Sequence, residues 1–495
     1  MPSKIKRISN SQYLKGLQCP KALWLFWHRK DLRPEVDERK QHVFDVGNEV
    51  GRLATEFFDG GVEITEAYNQ IDKGIDSTQK AVKGGAKYIY EATACSDDGA
   101  YSRIDIFEKV HESDVWNLIE VKSSTSVKDY HLDDITLQRY AFIHAGYHIH
   151  KSILMHLDRT YVRSGPIYVK ALFKLEDCTE IAEMKIGKVQ AHLNQLITTI
   201  NESREPSAEI GSRCKTPFEC DYINYCWQNI PEYSVYNIFF GKKLNALHEK
   251  NIIDVLDVPD TFETTDRQFI EVDAYKNKKI YKDIKEIKSF LNTLIYPLYF
   301  LDYETISPAI PLFDNTSPYQ TIPFQFSLHI QEKKGGEMKH VEFLHTGDDN
   351  PRSYLTKALV ENCGTKGSVV VYNQPFEEEV NRGLGYAFPE YKEKLESINE
   401  RMVDLLIPFS KRYLYHPEMK GSASLKNVLP ALVPDLAYDG LAIDDGMTAS
   451  LQYLKCMQGT ASNPEKETIF KHLKEYCALD TLAEVRLLEV LHKAI

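Results

Sequence analysis

Ser102-Arg-Ile-Asp-Ile-Phe-Glu-Lys-Val110, followed by Trp116-Asn-Leu-Ile-Glu-Val-Lys-Ser-Ser124, decides how the first half of this chain is read. Each piece alternates apolar and polar residues, the period of a half-buried strand. Residues 111–114 separate the two, so the pair is expected to form a β-hairpin. Asp105 lies between two isoleucines on the first strand, while Glu120 and Lys122 stand two apart on the second and so share a face. Two carboxylates and an ammonium gathered on one sheet face can hold a divalent cation or orient an attacking water. The competing reading is an exposed ion-pair ladder on an edge strand. The Ile-Asp-Ile context, in which a strand buries its neighbours, favours the site.

Working outward, Ser11-Gln-Tyr-Leu-Lys-Gly-Leu-Gln-Cys19-Pro20 and the aromatic run to His28 read as two short helices meeting at Cys19-Pro20. A helix is expected through His42 to Ala54, with small residues at Gly47, Gly51 and Ala54. A strand follows at Lys87-Tyr-Ile-Tyr-Glu91-Ala-Thr-Ala94, with an acid inside it. After the hairpin, Asp133-Asp134 opens a helix with Gln138 and Tyr140 near its first turns. Strands are expected within residues 150–175, and one helix from Ile181 to Glu202.

Of the nine cysteines, Cys214, Cys220 and Cys226 are separated by five residues each. An odd count argues against a disulfide framework and for metal ligands or buried thiols. Zinc sites usually pair two-residue knuckles, which are missing here. Iron–sulfur clusters tolerate wider spacing with a fourth thiolate from far away in sequence, and Cys19 is the obvious candidate. A four-cysteine zinc site and a set of buried thiols are the alternatives.

Asp105, the Glu120-Val-Lys122 step and Gln138 resemble the RecB-like branch of the PD-(D/E)XK nucleases, over roughly residues 1–230. One N-terminal cysteine with three more after the nuclease core is similar to that branch's iron–sulfur exonucleases. The resemblance implies Asp105 and Glu120 on a Mg²⁺ or Mn²⁺ ion, Lys122 beside the water, and Gln138 and Tyr140 as further site residues. It also implies a four-iron–four-sulfur cluster (4Fe-4S) on Cys19, Cys214, Cys220 and Cys226. Where the family often carries a first-helix histidine, four residues after a glycine, this chain has Gly51, and Glu49 is the expected replacement ligand. The glutamine-to-tyrosine spacing is also shorter than usual.

Residues 231–290 read as a helical connector, with a lysine-rich run from Tyr275 to Lys288. A second domain is expected over residues 291–495. Leu294-Ile-Tyr-Pro-Leu-Tyr-Phe-Leu-Asp302-Tyr-Glu304 is an apolar strand ending in two acids on one face. Ser368-Val-Val-Val-Tyr-Asn373-Gln-Pro-Phe-Glu377 is a buried strand running into a helix. Leu473-Lys-Glu-Tyr476-Cys-Ala-Leu-Asp480 lies on an amphipathic helix with Tyr476 and Asp480 four apart. Acids at these three kinds of position are what a two-metal phosphodiesterase requires, and a tyrosine there can orient the water. Asp404 is a further acid on an apolar segment. The region resembles the DnaQ-like (DEDD) exonucleases of ribonuclease H-like fold, in the tyrosine variant. That resemblance implies metal on Asp302, Glu304, Glu377 and Asp480, with Tyr476 catalytic. Glu377 departs from it, standing where the family usually has aspartate.

The whole chain, 495 residues at 43% hydrophobic and 27% charged, is expected to be an α/β protein. Its two mixed-sheet nuclease domains would be restriction-endonuclease-like, then ribonuclease H-like, joined by the connector. A formal net charge of -12 argues against a passive nucleic-acid coat but leaves room for a local basic groove. No apolar run reaches bilayer length and Met1-Pro-Ser-Lys-Ile-Lys-Arg7 lacks a signal-peptide core, so a cytoplasmic protein without a membrane partner is expected. The expected partner is nucleic acid, single-stranded DNA first, in repair, recombination or turnover; protein partners are left open. The alternative is a binding or scaffold protein with one or both sites degenerate.

Overall fold

A computed structural model describes residues 6–111, 113–436, 438 and 440–495. Residues 1–5 of the N-terminal reading and Glu112 of the expected turn lie outside the described residues. The fold is α/β, built on mixed sheets in two compact units. Among the described residues no helix is long and apolar enough to cross a membrane.

The first unit comprises residues 1–229 together with 308–319. Its helices include α1 (Asn10–Gln18), α2 (Pro20–His28), α3 (Glu38–Glu56), α4 (Ile71–Lys83) and α5 (Asp129–His144). Its strands are β1 (Val62–Glu63), β2 (Tyr88–Cys95), β3 (Tyr101–Lys109), β4 (Val115–Lys122), β5 (His148–Leu157) and β6 (Phe173–Asp177). They form one sheet in the order β1-β2-β3-β4-β5-β6. The expected hairpin is the antiparallel pair β3–β4, and β4 then pairs parallel with β5. Ser9 caps α1 in a reciprocal box with Gln12, and Pro20 opens α2, where its missing N–H is harmless. The single helix expected over 181–202 is two, Thr179–Ile186 and Val189–Asn201, separated at Gly187-Lys188. One core packs α3 on Tyr88, Tyr90, Ile106 and Ile119. The opposite core packs α5 on Ala92, Ile104, Leu118 and Trp116. Along β2 the side facing α3 therefore changes parity across Glu91, which holds a left-handed φ of 59°. Segment 308–319 completes the first core with Ala309, Ile310 and Tyr319. Arg163 Nη1 donates to the carbonyls of Pro311 and Leu312 at 2.9 and 2.6 Å, and Tyr319 donates to Ser123 O at 2.7 Å.

The second unit holds residues 230–307 and 320–495. Residues 231–290 are not a free-standing connector. Tyr233, Val235, Phe239, Leu247 and Val272 form a small core there. A short ribbon pairs β7 (Tyr281–Lys282) with a strand at Leu414–Tyr415, and buried Arg412 donates to Glu271 Oε1 at 2.6 Å, which ties the segment to this unit. The main strands are β8 (Leu298–Ile306), β9 (Ile322–Gln331), β10 (Met338–Leu344), β11 (Ser368–Val371) and β12 (Met402–Asp404), in the order β10-β9-β8-β11-β12. Leu298 and Phe300 face a core shared with Ala483, Leu487 and Leu491 of the C-terminal helix Asn463–Ala494. Tyr299, Leu301 and Tyr303 face the opposite core, which takes in Val380 and Leu384. Alternation therefore sends Asp302 and Glu304 toward the C-terminal helix.

Candidate functional site

In the first unit a cluster forms where β3, β4 and α5 meet. Trp116 and Leu118 of β4 enter the core under α5, and Glu120 and Lys122 continue that row to its polar end. Lys122 Nζ donates to Glu120 Oε1 at 2.7 Å and to Asp134 Oδ2. Gln138, one turn beyond Asp134, donates Nε2 to Glu120 Oε2 at 2.7 Å. Asp105 Oδ2 accepts the Val121 N–H at 2.6 Å, and Asn10 Nδ2 donates to Asp134 Oδ1 at 2.5 Å. Asp105, Glu120, Lys122 and Gln138 are thus brought together as the sequence suggested.

Burial and the neighbouring Glu91 charge push the Asp105 carboxyl up to about 6. Burial, then Asp105, hold Glu120 well above the usual carboxylate range. Burial alone would lower the Lys122 ammonium, but Asp134 and Glu120 outweigh it and raise it. Lys122 is therefore an ammonium at neutral pH, and the two acids are a pair short of positive charge.

Two expected residues lie elsewhere. Tyr140 donates to Asp98 Oδ2 at 2.5 Å and packs in the core with Tyr13 and Leu137. Two residues along a helix turn the side chain by about 200°, so Tyr140 cannot share the face of Gln138. Glu49 is exposed beside buried Val50 on α3. The additional acid acting on Asp105 is Glu91, which falls opposite it between the register pairs Tyr90↔Ile106 and Ala92↔Ile104. Glu91 also pairs with Arg103 Nε at 2.6 Å. Its signal in the sequence was an acid inside an apolar strand. Asp134 was readable only as Gln138's neighbour at helical spacing.

Cys19, Cys214, Cys220 and Cys226 all line one small cavity with Ala22, Ile210, Tyr222 and Ile223. Burial pushes the Cys226 thiol up to about 11, and Cys220, Cys19 and Cys214 push the same way while Lys21 opposes. The four are thiols, not disulfides. Four cysteines thus line one mostly apolar pocket, where a metal's positive charge would offset what burial penalises in their thiolates.

In the second unit Asp302 and Glu304 of β8 meet Glu377, on the first turn of helix Gln374–Ala387, and Asp480 and Glu484 of the C-terminal helix. One oxygen each of Asp302 and Glu304, with Cys477 Sγ, lie within 4.8 Å of one another. Burial, then Asp480, raise Asp302; burial, then Asp302, raise Glu304. Burial, then Asp302, also raise Glu377 and Glu484 well above the carboxylate range. Asp480 is pushed up to about 6 by burial, against hydrogen bonds from Tyr438 and Tyr476 and the charge of Lys426. Glu377 Oε2 and Glu484 Oε2 are buried with no hydrogen-bond partner among the described residues. Buried carboxylate oxygens left unpaired are costly, and hard oxygen donors in this number suit Mg²⁺ or Mn²⁺.

Tyr476, one turn before Asp480, is raised by burial and by Asp480, so its hydroxyl stays protonated. Asp404 is a brace: its Oδ1 accepts the N–H groups of Asn373 and Leu406 at 3.1 and 2.9 Å. Asn373 holds φ 93°, ψ 64° at the cap of the Glu377 helix. Glu484 was not foreseen, although its spacing from Asp480 repeats that of Tyr476. Tyr438, which donates to Asp480 Oδ1, sits in a loop whose sequence carries no such signal.

A family model described as "Domain of unknown function (DUF2779)" matches residues 299–424, which include the β8 acids, Glu377 and Asp404 but not the C-terminal helix. An uncharacterized protein of Ureaplasma parvum, UU173, is 26% identical over 232 residues, covering 43% of this chain and 33% of its own length. The uncharacterized protein MG366 of Mycoplasma genitalium is 23% identical over 231 residues, 43% of this chain and 35% of its own length. The chain thus spans about a third of the curated relatives it matches.

Proposed function

We propose that this protein is a metal-dependent nuclease with two separate hydrolytic sites, cutting phosphodiester bonds of DNA or RNA strands from their ends. The observation that carries the reading is the second unit's nest of buried acids, with the unpaired oxygens of Glu377 and Glu484 inside it. Such a nest is unfavourable without cations. Mg²⁺ or Mn²⁺, when bound, supplies charge neutralisation and polarisation of the phosphate. Asp302, Glu304, Glu377 and Asp480 would hold the ions. Tyr438 fixes one Asp480 oxygen, and Tyr476 would orient the attacking water. In the first unit Asp105 and Glu120 would hold an ion. Gln138 and Lys122 take one Glu120 oxygen each and set its direction, and the Lys122 ammonium stands ready beside the developing negative charge. By this reading the first unit is RecB-like, with a 4Fe-4S cluster on the four clustered cysteines, and the second is DnaQ-like of the tyrosine type. Reduced thiols suit the cytoplasm, and nucleic-acid turnover or repair is the role that follows.

End-labelled single strands incubated with Mn²⁺ or Mg²⁺ should shorten. Asp105→Ala and Asp302→Ala should each remove one part of the activity, and both together should remove all of it, by 10³-fold or more. The purified protein should be brown and hold iron, lost in Cys226→Ser. Binding without hydrolysis in either metal would leave a scaffold instead, a reading that exposed Glu49 favours for the first unit. A colourless protein holding zinc would replace the iron–sulfur cluster with a four-cysteine zinc site.

A further inference from the structure

A cleft of about 590 Å³ in the first unit is lined by Arg7, Ser9, Gln12, Trp27, Tyr68 and Tyr101, among others. None of these belongs to the acid cluster, but Tyr68 is near enough to Glu91 and Asp105 to feel their charges. Tyr101, Arg103 and Asp105 occupy alternate positions of β3, so its far wall lies ~13 Å along the strand from Asp105.

Tyr68 is an unusual wall. The residue is 70% exposed, while the Arg103 guanidinium lies over its ring, 4.7 Å from the centroid. Arg103 cannot drift. Its Nη1 and Nη2 donate to the carbonyls of Glu66 and Ile64 at 2.7 Å each, and its Nε pairs with Glu91 at 2.6 Å. Ser77 on α4 donates to Glu66 Oε1 at 2.5 Å and ties down the same loop. An aromatic ring is thus held by the arginine that also holds Glu91 beside Asp105, with most of the residue left to solvent. Nearby, Lys6 lies 5.1 Å from the Trp27 ring centroid and donates to Ile200 O at 2.9 Å, and Arg7 pairs with the exposed carboxylate of Asp72 at 2.5 Å. Such pairs are weak and exchange readily for a phosphate.

We propose that this cleft is the strand-binding groove of the first unit, taking unpaired nucleotides of single-stranded nucleic acid with one base stacked on Tyr68 and a phosphate at Arg7. Stacking needs a pre-set ring with a free face, and backbone tracking needs nearby cations; the cleft has both. A base inside a duplex has no free face to offer, so the groove selects unpaired strands. The inference rests on the hydrolytic reading of Asp105 and Glu120, since it supplies the substrate to that site.

The test uses the full chain carrying Asp105→Ala and Asp302→Ala, with fluorescein-labelled dT and U oligonucleotides in Ca²⁺, read by anisotropy. Tyr68→Ala should raise Kd by roughly 10-fold or more and Tyr68→Phe should not, while Arg7→Ala should flatten the salt dependence. The dT and U arms show whether DNA or RNA is the strand held. In the otherwise wild-type chain, Tyr68→Ala should raise KM for the Asp105-dependent cleavage with kcat little changed. An unchanged Kd in Tyr68→Ala, or equal affinity for a blunt duplex, overturns the groove even when cleavage depends on Asp105. Tyr68-dependent binding without any Asp105-dependent cleavage supports the groove and overturns the hydrolytic reading alone.

Discussion

Glu484 is the acid whose presence is hardest to explain without a cation. It is 1% exposed, one of its oxygens has no partner among the described residues, and burial, then Asp302 and Glu377, oppose its ionisation. An acid held above its ordinary range destabilises the folded state at neutral pH, because the unfolded chain ionises it more readily. Glu484→Gln should therefore raise the melting temperature of EDTA-treated protein. The same substitution should lower the gain in melting temperature on adding Mn²⁺. A fall in melting temperature under EDTA would mean that Glu484 is held by contacts rather than waiting for an ion.

Elements deliver these side chains with different precision, and that governs what the sequence could reveal. Alternation on β4 and β8 put Glu120 with Lys122 and Asp302 with Glu304, because a strand's period of two is rigid. Helical spacing joined Tyr476 to Asp480 in the same way. Tyr140 failed because two positions along α5 separate it from the face of Gln138, and the short spacing there was the clue. Glu91 depends on a left-handed residue that shifts the parity of β2, which no pattern of apolar residues announces. The same holds at Asn373, whose φ of 93° turns β11 into the helix carrying Glu377. Asn tolerates that conformation and a β-branched residue does not. Asn373→Val should cost roughly 1–3 kcal/mol in thermal unfolding, whereas Asn373→Gly should be nearly neutral. Equal melting temperatures for the two variants would show that the turn is not strained.

For the whole molecule, pH and metal should work against each other. Asp105 and Asp480 are raised from 3.8 to about 6 in the folded chain. Below about pH 4 both states are protonated and neither group affects stability. Between about 4 and 6 the unfolded chain ionises first, so these groups destabilise progressively, and the penalty is complete above about 6. Under EDTA, the gain in melting temperature of Asp105→Asn/Asp480→Asn over the wild type should therefore grow across that window. Stabilisation of the wild type by Mn²⁺ should grow across the same window, since the ion competes with protons. A gain that shrinks with rising pH would sink this account. One further consequence follows from residues 308–319, which seal the first core and brace the end of β4 through Tyr319 and Ser123. During synthesis the ribosome must extrude residue 319 before that core can close. The amino-terminal nascent chain therefore has to wait with apolar surface bare through the synthesis of residues 230–307. It can close only once residue 319 has emerged, still ahead of the C-terminal helix that completes the second unit.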